Sequence, residues 1–313
     1  MRANSRAGCV GGLTAAVVAT SMLALIGAPA RAAGAEKTIA VIVPTLKITV
    51  LQVESNAAVE EAHKLGYKAF VLTHDFNTAK ELQDAEQLIT EKVAGVAWNV
   101  ADENASAVAV EKVRNAGIPV VNMDRVLVEH SLADASYESD NFQCGALEAQ
   151  AFLKLVGPKG TYAELPGLRS DAMARIRSAG AHSVLDKTGL KMVAQQAGGW
   201  DETKGFQFAG TILQAHPHIL GFVAGDDSLG LGAAAAIRAQ GRKGMVVVGI
   251  DGGKDAVAAI EGGTSAFKAS AAQPVTAEGR SAVINLAKIV RDGRGAVTDG
   301  AVVDLPCTLI MKQ

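Results

Sequence analysis

From residue 38 onward two hydrophobic patterns take turns along the chain. Short apolar runs at 38–43, 68–73, 95–99 and 119–123 are continuous rather than alternating, as in strands buried on both faces. Longer mixed runs at 49–65, 78–92 and 105–116 read as helices between them. Repeated βαβ units of this kind predict a parallel sheet with helices on both sides. The stretch 127–137 breaks the rhythm, and the alternation then resumes. Helices are predicted at 141–156, 171–187, 201–215, 229–239, 254–261 and 275–291. Strands are predicted at 161–165, 191–197, 221–224, 245–250 and 266–272, with a last one at 302–310. Gly66, Gly117, Gly189 and Gly241 stand at helix ends, where the left-handed cap falls. Two βα series with a break between them predict two similar lobes, and a cleft between lobes is a favoured place for a small ligand.

Length and composition agree with this. A chain of 313 residues exceeds one ordinary core and suits two α/β lobes. Aromatic residues make up 4%, so Ala, Gly and Val must fill the interior. A formal charge of −2 argues against a nucleic-acid partner, which would require a basic excess. The first residues follow another plan: Arg2 and Arg6, an apolar run from Cys9 to Gly27, then small-x-small sites around Ala28–Ala32. This is the layout of a signal peptide over residues 1–32, so the expected location is the periplasm. A transmembrane anchor is the other reading, but no stop-transfer charges follow the run. Cys9 stands at the head of the apolar run rather than after it, which argues against a lipid anchor. The periplasm permits a disulfide between Cys144 and Cys307. With nothing in the sequence to place them together, two separately buried thiols are expected.

Ligands of open parallel sheets bind outside the carboxyl ends of the strands. Those ends read Asp124-Arg125, Ser139-Asp140-Asn141, Gly225-Asp226-Asp227, Asp251-Gly252-Gly253 and Gln273-Pro274. Such side chains donate and accept in pairs and suit vicinal hydroxyl groups. Plainer roles compete. Asp140 and Asp227 fit as helix N-caps, Asp124 and Arg125 as an internal ion pair, and Trp200 as a core or surface aromatic. Recurrence of polar strand ends in both halves favours a binding cleft.

These residues carry a resemblance. The opening strand with Thr45-Leu46, Leu65-Gly66-Tyr67, the run from Gly117 to Asp124-Arg125, Ser139-Asp140-Asn141 and Ala174-Arg175 are its first markers. Gln214-Ala-His-Pro217, Val248-Gly-Ile-Asp251-Gly252 and Ala272-Gln273-Pro274 complete them. Over residues 37–313 the chain resembles the periplasmic ribose-binding-protein family of type I sugar-binding proteins of ABC transporters. The resemblance implies an α/β fold of two Rossmann-like lobes with parallel sheets joined by a hinge. It implies an N-terminal lobe of residues 35–138 plus 274–305 and a C-terminal lobe of residues 139–273 plus 306–313. It further implies that Asp124 and Arg125 grip sugar hydroxyls, with Asn141 and Arg175 as second-lobe partners and Trp200 stacked on a sugar face. Asp251 and Gln273 would be the remaining acceptor and donor, and Asp226 falls where the family usually has Asn. The family's opening loop reads Asn-Asn-Pro-Phe-Phe; here Lys47-Ile48-Thr49-Val50-Leu51 replaces it, so the first-lobe aromatic wall is lost. Ile48, Val50 and Leu51 would form an aliphatic wall instead, suited to a smaller or acyclic polyol. Lys47 would either balance Asp226 or lie in solvent. Lobe closure on a small monosaccharide or sugar alcohol would then present the protein, a monomer, to the permease subunits of an ABC importer. Some members of the family also dock to chemotaxis receptors.

Competing classes find little support. A nicotinamide-dependent dehydrogenase needs a glycine-rich turn after its first strand, and Pro44-Thr-Leu-Lys-Ile-Thr-Val has no glycine. Gly230 and Gly232 lie within a predicted helix. His216-Pro-His218 lacks a third metal ligand at a telling spacing. A sugar-responsive transcription regulator would begin with a helix-turn-helix. The alternative kept is a glycoside-processing enzyme using two of Asp124, Asp226 and Asp251. The expectation is a binding protein without enzymatic activity, cofactor or metal.

Overall fold

The computed structural model describes residues 37–312; the signal peptide expected over residues 1–32 lies outside them. The chain runs β1 (Thr38–Val43), α1 (Thr49–Lys64), β2 (Lys68–Thr73), α2 (Thr78–Glu91), β3 (Gly95–Trp98), α3 (Ala107–Asn115) and β4 (Val120–Met123). A single 3-10 turn, His130–Leu132, precedes β5 (Ala135–Ser139) and accounts for the break in rhythm. The second series is α4 (Asn141–Val156), β6 (Lys159–Leu165), α5 (Ala172–Leu185), β7 (Gly189–Gln195), α6 (Glu202–Ala215) and β8 (Gly221–Ala224). It continues with α7 (Asp227–Ala239), β9 (Val246–Asp251), α8 (Lys254–Gly262) and β10 (Phe267–Ala272). Then come α9 (Val275–Asp292), β11 (Ala301–Leu305) and β12 (Thr308–Met311).

The strands form two six-stranded sheets, ordered β11-β5-β4-β3-β1-β2 and β12-β10-β9-β8-β6-β7. Every pairing is parallel except that of β12 with β10. Three passages of the chain link the sheets: β5 to α4, β10 to α9, and β11 to β12. Helix α9 returns to the first sheet, where Ala282, Val283, Leu286 and Ile289 join the cluster of Ile39, Val41, Val43 and Met123. The final strand expected at 302–310 is thus two strands on different sheets. Pro306 lies between them and has no N–H to continue a ladder.

Several helices start on a side-chain cap, as Asp and Asn after a strand dictate. Asn77, Asp140, Asp171, Asp201 and Asp226 each accept a backbone N–H of the helix that follows. Gly66, Gly117 and Gly241 adopt the left-handed conformation expected of them. Gly189 does not: α5 ends at Leu185 and Gly189 opens β7. Small residues bring helices close. A Cβ at Gly145 of α4 would lie 1.9 Å from the carbonyl oxygen of Arg177, so only glycine allows α5 to approach there.

Cys144 of α4 and Cys307 are joined by a disulfide, with 5.4 Å between their Cα atoms. This corrects the expectation of separate thiols. The third crossing carries Cys307 to α4, where its N–H donates to Gln143 Oε1 (2.8 Å) and its carbonyl accepts from Gln143 Nε2 (3.3 Å). A separation of 163 residues concealed that proximity.

Candidate functional site

The carboxyl ends of strands from both sheets converge on one small pocket. Pro44, Ile48, Val50, Leu51, Phe76, Asp124 and Arg125 line it from the first series of elements. Met173, Arg177, Trp200, Asp226, Asp251 and Gln273 line it from the second.

Four of these residues sit in backbone conformations that side chains rarely adopt: Phe76 (φ 57°), Asp124 (φ 56°), Trp200 (φ 64°) and Asp251 (φ 130°). Strain of this kind persists only where the surroundings hold it, and it concentrates at functional sites. Asp124 is held by Asn99, whose Nδ2 donates to Oδ2 (2.7 Å), with Gln273 Nε2 at 3.5 Å from Oδ1. Arg125 does not pair internally with Asp124. Its Nη2 donates to Asp171 Oδ2 (2.6 Å), a charge-assisted bond from the end of β4 to the cap of α5. Burial works against the Arg125 cation, but Asp171 and Asp124 outweigh it and raise its pKa. Trp200 is anchored by the same carboxylate (Nε1 to Asp171 Oδ2, 3.2 Å) and lies against Gly167, where a Cβ would come within 2.1 Å of the ring.

Arg177 organises the other wall. Its Nε donates to Asn141 Oδ1 (2.8 Å) and its Nη1 to the Gly225 carbonyl (2.9 Å). It lies 3.7 Å from Asp251 Oδ1, and its guanidinium sits 5.5 Å from the Trp200 ring centre. Asp226 both lines the pocket and caps α7 through Leu229 N (2.8 Å). Asp227, expected as the cap, instead turns inward to Ser270 Oγ (2.7 Å) and Gly253 N (2.8 Å), fixing the turn after β9. Burial pushes Asp226 up to about 6 against the pull of Arg177. Burial, then the charges of Asp227 and Asp226, push Asp251 well above the carboxylate range. A carboxyl that retains a proton donates as well as accepts, which matches a hydroxyl group.

Of the residues singled out from sequence, Asp124, Arg125, Trp200, Asp226, Asp251, Gln273, Ile48, Val50 and Leu51 are brought together here. Asn141 is one shell back, where it orients Arg177. Arg175 and Lys47 lie outside this pocket. Arg175 points outward, bonded to the carbonyls of Arg169 and Ser170 and paired with Glu103. Two residues along a helix is about 200° of rotation, so Arg177, not Arg175, faces the pocket. Lys47 is exposed and outside the lining, which matches the solvent-facing alternative given for it. Pro44, Phe76, Met173 and Arg177 were missed. Met173 and Arg177, spaced i and i+4, share one helix face. Phe76 follows β2, so the strand-end rule reached it, but a search for polar ends passed over it. It restores an aromatic to the first wall, with the Arg125 guanidinium 5.4 Å from its ring centre.

A family model described as a periplasmic binding protein domain matches residues 39–294. The chain is similar to the D-apiose import binding protein of Actinobacillus succinogenes, 35% identical over 276 residues covering 87% of each chain. It is similar to the ribose import binding protein of Bacillus subtilis, 34% identical over 64% of this chain and 65% of that one. Among solved structures it is similar to an ABC transporter solute binding protein from Mycobacterium smegmatis with bound glycerol. The TM-score is 0.81 and the identity 27%, over 88% of this chain and 94% of that one.

Proposed function

Because the chain belongs to the periplasmic binding protein family, we propose that it captures a small monosaccharide or sugar alcohol and delivers it to the permease of an ABC importer. The observation that carries this is the pocket itself: paired donors and acceptors from both sheets around one small space, with Trp200 and Phe76 among its walls. Asp124, Arg125, Asp226, Asp251, Arg177 and Gln273 are taken to bond ligand hydroxyls. Trp200 and Phe76 offer π-faces to its C–H groups, and Ile48, Val50 and Leu51 limit its size. Relatives named as D-apiose and ribose import binding proteins, and a similar structure with bound glycerol, support a small polyhydroxylated ligand.

A ligand that touches both walls favours the closed arrangement over the open one by its differential contacts, and the closed form is what a permease recognises. In this reading residues 35–138 plus 274–305 and residues 139–273 plus 306–313 move as two lobes about the three crossings, in a periplasmic monomer. The glycoside-processing alternative is weaker, since the relatives are transporter binding proteins.

The test is a thermal-shift screen of D-apiose, D-ribose, other pentoses, tetritols, hexitols and glycerol, followed by titration calorimetry. One member should raise the melting temperature by linkage and bind at about micromolar Kd, roughly −8 kcal/mol. Binding should change Trp200 fluorescence. A screen in which none of these compounds shifts the transition, or in which glycosides are cleaved, defeats the proposal.

A further inference from the structure

Two buried acids hold the pocket wall from behind without lining it. Glu54 of α1 and Glu278 of α9 are both 0% exposed. Asn99 Nδ2 donates both to Glu54 Oε2 (3.0 Å) and to Asp124 Oδ2 (2.7 Å). Ser139 Oγ donates to Glu278 Oε1 (2.6 Å) and accepts from Gln273 Nε2 (3.1 Å), the amide that also approaches Asp124. Ser139 and Gln273 occupy two of the passages between the sheets. Gly279 makes the arrangement possible. A Cβ there would lie 2.6 Å from the Glu54 carbonyl oxygen, so glycine lets the α9 turn carrying Glu278 press against the α1 turn carrying Glu54.

Each acid keeps one buried oxygen without a hydrogen-bond partner, Glu54 Oε1 and Glu278 Oε2. A carboxylate buried in that state is costly, and the proton is the cheapest remedy. The charged neighbours supply no other. Asp124, Glu278 and Arg125 face Glu54, and Asp124, Arg177 and Glu138 face Glu278. Arg125 is already bonded to Asp171, and Arg177 is placed beside Asp251. His74, bonded to the Asn99 carbonyl, is kept neutral by burial, which lowers it to about 4.

We propose that Glu54 and Glu278 are neutral, protonated positioning residues for the ligand contacts Asp124 and Gln273, and that ionisation of Glu278 in mildly alkaline solution weakens ligand binding. The inference rests on the sugar-binding reading of the pocket. Ionising Glu278 places a second negative charge beside Asp124, and the repulsion between them disturbs the ligand contact that Asp124 makes. Burial, followed by the charge of Asp124, lifts Glu278 to about 8 and Glu54 well above its ordinary value.

The experiment titrates D-apiose by calorimetry between pH 6 and 9.5 into wild type, Glu278→Gln and Glu278→Leu. Wild type should lose about tenfold in affinity across the rise, the worth of one pKa unit of coupling. Glu278→Gln, a neutral isostere, should bind as wild type does at pH 6 and keep that affinity at pH 9. Glu278→Leu, which leaves Ser139 without its acceptor, should bind weakly at every pH. Ser139→Ala should shift the alkaline loss to higher pH, because the Ser139 bond lowers the Glu278 pKa. Identical pH profiles for wild type and Glu278→Gln overturn the inference. An infrared difference spectrum of wild type minus Glu278→Gln at pH 7, without ligand, should contain a carboxylic-acid carbonyl band. Its absence also overturns the inference, whereas failure of D-apiose to bind at any pH counts against the ligand reading alone.

Discussion

Replacing Arg177 with Met keeps an unbranched stem in place and removes the guanidinium. The side chain is 3% exposed, so every polar partner it leaves behind is left in a dry site. Asn141 Oδ1 and the Gly225 carbonyl each lose a donor, at about 1–2 kcal/mol apiece. That part does not depend on pH. The second part does. Without the cation 3.7 Å away, Asp251 loses its neutralising charge, and so does Asp226. Both already have raised folded pKa values, and both will rise further. Over the window from the ordinary carboxylate range to above 6, the folded variant then binds more protons than the unfolded chain, so its stability falls as pH rises. The expected loss is about 2–4 kcal/mol at pH 5 and about 1–2 kcal/mol more at pH 8, consistent with breaking a buried pair. Thermal and urea melts of ligand-free protein at both pH values measure it. Melting should drop by roughly 5–15 °C at pH 5 and further at pH 8. Equal losses at pH 5 and pH 8 would refute the role of Arg177 as neutraliser of these acids, and a loss below about 1 kcal/mol would refute the network.

Asp124→Ala should abolish calorimetrically detectable binding of whichever sugar the wild type takes, because Asn99, Gln273 and the ligand hydroxyls lose a shared acceptor; undiminished affinity would show the pocket is not the binding site. Opening the Cys144–Cys307 link, by Cys307→Ser or by reductant, removes a closure across 163 residues. The chain-entropy limit for that loop is about 5 kcal/mol, so the reduced protein should melt well below the oxidised one; coincident melts would contradict this.

Much of the fold was legible because burial writes its period into sequence. The bounds of β1, β2, α4 and β8 agree with the apolar runs that predicted them. The strand-end rule then led to Asp124, Asp226, Asp251 and Gln273, since a parallel sheet delivers whatever follows its strands to one edge. Helix phase was harder to read. Arg175 and Arg177 lie in one polar-apolar mixture on α5, and only the approach of Gly145 to the Arg177 carbonyl fixes which arginine turns inward. Asp226 and Asp227 pose the same difficulty. Either can cap α7, and Ser270 and Gly253, far along the chain, decide that Asp227 turns away.

Local propensity and hydrophobic pattern therefore determined the elements, their order and the rim on which the polar residues gather, because each depends on neighbours within a turn or a strand. The tertiary structure alone decided the pairing of Cys144 with Cys307, the choice of Arg177, and the two acids behind Asp124. Those depend on groups 36 to 163 residues apart entering a dry interior together, where an unpaired charge is costly, and no short-range pattern carries that information.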